Sequence, residues 1–129
     1  MPGERDLGTL LGSLRPFLHE DEFVFCTHSE VAGDPVCIFR EREGLTLILR
    51  RAEAERLGIA YTFPCRMITL EVHSSLEAVG LMARVSSALA AERISVNPVS
   101  GYFHDHLFVP AERAEDAMEV LRSILPGQY

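Results

Sequence analysis

No stretch of the 129-residue sequence is long and apolar enough to cross a bilayer as a helix. Its start, Met1-Pro2-Gly3-Glu4-Arg5-Asp6, is polar and lacks the pattern of a secretory leader. A cytoplasmic protein with no membrane partner is the expectation. Basic residues are also in short supply. Twelve Lys and Arg against nineteen Asp and Glu leave a formal charge of −7, which argues against a sequence-independent grip on nucleic acid or anionic lipid. Cysteine is scarce and odd in number, and Cys26, Cys37 and Cys65 have no close metal-type spacing. Reduced, mostly buried thiols are expected, with no metal and no cofactor. No Gly-x-Ser-x-Gly elbow, phosphate loop or dinucleotide fingerprint occurs, so no catalytic residue is assigned.

What is present is globular in balance: 47% of residues are hydrophobic and 24% charged. The length suits one ordinary domain or two very small ones sharing a core. Leu7, Leu10, Leu11 and Leu14 recur at helical spacing, predicting a short helix over 5–15 that Pro16 ends. Phe23-Val24-Phe25-Cys26 is apolar on both faces and reads as an interior strand. Strands at 36–39 and 45–49 follow, joined through Arg40-Glu41-Arg42-Glu43-Gly44 as a hairpin. A brief helix at 51–57 stops at Gly58, residues 59–64 are extended, and Pro64 marks the boundary between the halves.

The second half is patterned more sharply. Ile68, Leu70 and Val72 share one strand face, and a polar loop then leads through Gly80 into a helix. Leu81, Val85 and Leu89 make the apolar stripe of that helix, which lasts to about Arg93. A strand over 94–99, a turn at Gly101-Tyr102 and a strand over 104–109 come next. Pro110 opens a last helix lined by Ala114, Ala117, Met118, Leu121 and Ile124. Strand, helix, strand, strand, helix is one strand short of the split βαβ, ferredoxin-like arrangement. The first half is also one element short. The fold expected is therefore α+β: two ferredoxin-like βαββαβ-type units, 1–64 and 65–129, packed side by side and lending each other a strand. Their antiparallel sheets would carry helices on one face. A single larger α+β domain is the alternative.

The run from Val79-Gly80-Leu81 through Val85, Leu89 and Ile94-Ser95-Val96 resembles the opening helix and second strand of an ACT domain. The likeness extends over roughly 66–125, and the first half, with Glu43-Gly44-Leu45-Thr46-Leu47, resembles the divergent partner unit of small tandem-ACT proteins. Val79 stands where the family commonly has proline. The resemblance implies a ferredoxin-like fold, a homodimer, regulation rather than catalysis, and an amino acid or similar metabolite bound at a unit interface.

The candidate ligand-binding residues are Ser74, Ser75, Leu76, Glu77, Val79, Gly80, Leu81 and Asn97. Backbone N–H groups near Gly80 would hold a ligand carboxylate at the helix start. Ser75, Glu77 and Asn97 would add polar contacts. Ser74-Ser75-Leu76-Glu77 also reads as a capping box, which would start the helix before Gly80. His104-Asp105-His106 invites a metal reading with His73 nearby, but strand alternation separates Asp105 from the two histidines. Cys65 beside Arg66 invites a Cys/His enzyme, with nothing to fix the geometry. A ligand-free interaction module is the rival function, its interface an outward sheet face carrying His104, His106 and Phe108.

Overall fold

The computed structural model describes residues 3–72 and 75–125, so the readings made for His73 and Ser74 lie outside the described residues. The leucine spacing near the start yields helix α1, Leu7–Ser13, capped by the Asp6 carboxylate, which accepts from the Thr9 N–H at 2.9 Å. Strand β1 then runs for fourteen residues, Arg15–His28, well beyond its apolar centre. β2 (Cys37–Glu41) and β3 (Gly44–Arg50) form the expected hairpin, turning tightly on Arg42-Glu43 with Gly44 at φ 148°. Helix α2, Arg51–Leu57, ends on Gly58 in the left-handed conformation. β4 is Thr62–Glu71, α3 Leu81–Ala91, β5 Asn97–Ser100 and β6 Asp105–Pro110; a 3₁₀ turn leads into α4, Ala114–Ser123.

All six strands form one antiparallel sheet in the order β2-β3-β1-β4-β6-β5. That order contains two ferredoxin-like units. β4-β1-β3-β2 is one, and β1-β4-β6-β5 is the other. The two central strands belong to both. The first half of β1, Arg15–Leu18, pairs with Glu71–Ile68 and supplies the strand that the second unit lacks. The second half, Phe23–His28, pairs with Arg50–Leu45 of β3. Strand lending thus proceeds through one continuous sheet, in which Pro64 lies inside β4 rather than in a loop.

Two irregularities let the long strands serve both units. His19-Glu20-Asp21 bulges out of β1 opposite Met67, and the Arg66 guanidinium grips the bulge by donating to the His19 carbonyl at 2.8 and 3.0 Å. In β4, Phe63 and Pro64 together oppose Val24, with Phe63 at φ 58°. Proline has no N–H to contribute there, which suits a bulge.

The helices cover one face of the sheet. Leu10, Leu81, Val85, Leu89, Ala117 and Leu121 pack on Ile68, Leu70, Leu107 and Val109, while α2 covers Val24, Leu47 and Leu49 through Ala54. The other face has no helix, yet Phe23, Ile48, Cys65, Met67 and Phe108 are buried there. Phe108 meets Phe23 and Phe25 edge-on, at centroid distances of 6.0 and 5.7 Å.

Two local readings need correction. α3 begins after Gly80, which is itself the N-cap at φ 104°, so the capping-box start is not what forms. The carboxylate of Glu77 pairs with Arg5. The strand expected over 94–99 is only Asn97–Ser100, since Arg93 takes φ 58° and the chain turns there. Pro110 closes β6 opposite Cys65 and, as expected, also caps the 3₁₀ turn that opens into α4.

Candidate functional site

With no side chain capping α3, the N–H groups of Leu81, Met82 and Ala83 have no partner within the helix. The ladder begins with Arg84, whose N–H donates to the Gly80 carbonyl at 2.9 Å. This helix start lies at a cleft of about 150 Å³. Ser75, Leu76 and Ala78 form its loop side, residues 80–83 its helix side, and Ser100 and Asp105 its floor. Glycine at 80 is required twice over: its φ is positive, and a Cβ there would come within 3.3 Å of Leu7 Cδ2.

Four of the candidate residues therefore line one cleft: Ser75, Leu76, Gly80 and Leu81. Glu77 is paired with Arg5, and Val79 points into solvent, 84% exposed. Asn97 is exposed at the far end of β5 from Ser100 and does not line the cleft.

Asp105 is the residue that sequence reasoning left out of the site. It is 8% exposed and accepts from the Ser100 hydroxyl at 2.6 Å. The signal was available in the strand alternation, which puts this carboxylate on the same face as Leu107 and Val109. A carboxylate on a buried face calls for a partner. Cleft chemistry is thus bipolar, with helix-end N–H donors on one side and a buried acid on the other.

The opposite sheet face carries a second polar group. Thr69 Oγ1 lies 2.7 Å from His19 Nε2 and 2.9 Å from His106 Nδ1. A hydroxyl has one hydrogen, so it links the proton positions on the two rings. Burial pushes both imidazoles below their usual pKa, and His104 and His19 lower that of His106 further. His104 Nδ1 meets the Val72 carbonyl at 3.3 Å. Among the described residues no group of three metal-ligating side chains converges. Nor is this face outward in the sense expected. Phe108 is 1% exposed, because the sheet curls until Phe23 and Phe25 close over it.

Cys65 is fully buried, its thiol directed at the Phe23 carbonyl 3.2 Å away and pushed up to about 12 by burial and by Glu22. It is not a nucleophile near neutral pH.

Paired ferredoxin-like units on shared strands, with a glycine-led helix start opening on a cleft, define the class of the protein as a tandem α+β fold. Two different ACT-domain family models match the chain, one over residues 2–66 and the other over 62–123. The chain belongs to the ACT-domain family. It is similar to the crystal structure of a Vibrio cholerae protein of unknown function, a possible transport protein, at 41% identity and a TM-score of 0.82. That similarity covers 92% of this chain and 94% of the other. The ligand-free regulatory subunit of Thermus thermophilus aspartate kinase shares the fold at 10% identity and a TM-score of 0.56, over 84% and 95% of the two chains. Escherichia coli aspartokinase III, solved with aspartate and ADP, aligns at 13% identity and a TM-score of 0.58. There, 87% of this chain covers 33% of that one. No curated protein matches the chain.

Proposed function

We propose that this protein is a non-enzymatic sensor that binds an amino acid, or a similar zwitterionic metabolite, in the cleft at the start of α3. The observation that carries the reading is the pairing of two complementary charges within one small cleft. The N–H groups of Leu81, Met82 and Ala83, which have no partner within the helix, suit a carboxylate, and the Asp105 carboxylate suits an ammonium group. Ser75 and Leu76 then bound the space left for the ligand side chain. The aspartate-bound aspartokinase neighbour and the family itself support an amino acid as the class of ligand. Three free cysteines accord with a reducing, cytoplasmic setting. The buried, high-pKa Cys65 thiol supports regulation over catalysis.

Leu76, which lines the cleft, and Val79, in the same loop, stand 67% and 84% exposed. Apolar side chains so placed favour a second copy of the chain closing over the loop, which makes the protein a homodimer with its ligand at the interface. A module that only oligomerises would use the same surface and bind nothing. A thermal-shift screen of the standard amino acids separates the two. A ligand at a hundred times its Kd adds about 2.7 kcal/mol to stability. A clear rise in Tm with one of them, abolished by Asp105→Asn, supports the sensor. No shift with any, from a protein that sediments as a dimer, leaves the oligomerisation module.

A further inference from the structure

The N-terminal segment meets the cleft loop through three different kinds of contact. The Glu4 carbonyl accepts the Ser75 N–H at 2.8 Å. The Arg5 guanidinium pairs with the Glu77 carboxylate across 72 positions of sequence. Leu7 packs on Gly80, where an added Cβ would lie 3.3 Å from its Cδ2. Behind these contacts the segment is anchored. Asp6 caps α1 through the Thr9 N–H and hydroxyl, both at 2.9 Å, and Leu10 is fully buried in the core beneath. In the loop Ala78 packs against the main core, while Leu76, Glu77 and Val79 are exposed. Its internal bonds are short-range: the Glu77 N–H donates to Ser75 Oγ and the Ala78 N–H to the Ser75 carbonyl, both at 3.0 Å.

We infer that residues 4–7 form a strap that sets the conformation of the Ser75–Gly80 loop, so that strap docking and cleft geometry rise and fall together. In a loop so largely exposed, the outside contacts decide which conformation is populated. The link to ligand rests on the sensor reading above; the link between strap and loop does not. If a zwitterion does occupy the cleft, reciprocity requires that it tighten the strap by the same factor by which the strap tightens ligand.

Amide hydrogen exchange of the full-length protein, with no ligand added, tests the strap directly. The reporters are the hydrogen-bonded amides of Ser75, Glu77 and Ala78. Arg5→Ala and Glu77→Gln should each speed their exchange by up to about fivefold, the scale an exposed ion pair allows, and the double variant should add nothing further. Leu7→Ala should speed it roughly tenfold, while β3 and α4 stay at the wild-type rate. In the reverse direction, Gly80→Ala, which presses on Leu7, should speed exchange in α1. Unchanged loop exchange in Arg5→Ala and Glu77→Gln overturns the proposal. So does an acceleration spread evenly over the whole chain. Should Leu7→Ala fail to fold, the two exposed-pair variants decide the matter alone. A failed amino-acid screen alongside accelerated loop exchange would remove the sensor and leave the strap standing.

Discussion

Gly58 and Gly80 both hold left-handed backbone, but only one of them is crowded. A Cβ on Gly58 would meet nothing within 4 Å, whereas one on Gly80 would meet Leu7 at 3.3 Å. Gly58→Ala should cost about 1–2 kcal/mol from the backbone alone. Gly80→Ala should cost that and an additional contact penalty, and adding Leu7→Ala should recover the excess. Urea denaturation of the four proteins measures it. The histidines give a pH signature of the same order of locality. Burial lowers the pKa of His19 and His106 in the folded state, so between the folded and unfolded values the unfolded chain holds more protons. Stability from this pair is present above the unfolded value of about 6.5 and is lost as the pH falls below it. Replacing both by glutamine should flatten the acid side of the stability profile, read as Tm against pH. At this scale the sequence was half legible. Gly80 declared itself by sitting between a strand and an amphipathic stripe. The His19–Thr69 contact did not, because it spans 50 positions and depends on a bulge.

Helices were easier to foresee than strands, and β1 shows why. Phe23 to Cys26 is apolar on both faces and could be read as an interior strand at once. The stretch from Phe17 to Glu22 alternates badly, since the bulge at His19-Glu20-Asp21 throws the side-chain period out of step. The lender of the missing strand was thus hidden by the irregularity that lets it reach two units. α1 presents the opposite case. Its leucines are clear in the sequence, though two glycines weaken it, and packing has to compensate. Leu10→Ala should therefore cost about 2–5 kcal/mol, the price of a cavity in the main core. Gly12→Ala, with open space around it, should gain about 0.5–1 kcal/mol. Chemical denaturation checks both, and opposite signs within one seven-residue helix would show that its stability is tertiary in origin.

For the molecule as a whole, the sharing of β1 and β4 forbids independent halves. A fragment cut near Pro64 leaves one piece without β4 and the other without the strand that completes its sheet. Residues 1–64 and 65–129 made separately should show no cooperative melt, while the full chain should melt once, with far- and near-ultraviolet circular dichroism coinciding. Two separate transitions in the intact chain would contradict a shared sheet. The tandem plan itself was legible, because each half lacked one element and the deficits matched. The identity of the shared strands was not, since pairing between Arg15 and Glu71 leaves no local trace.

That same pairing sets a timetable for synthesis. Chains emerge from the ribosome at roughly 5–20 residues per second. Phe17 and Leu18 are translated some fifty residues ahead of the partners opposite them, Thr69 and Ile68. The first half of β1 must wait, with an apolar edge uncovered, until β4 has been delivered.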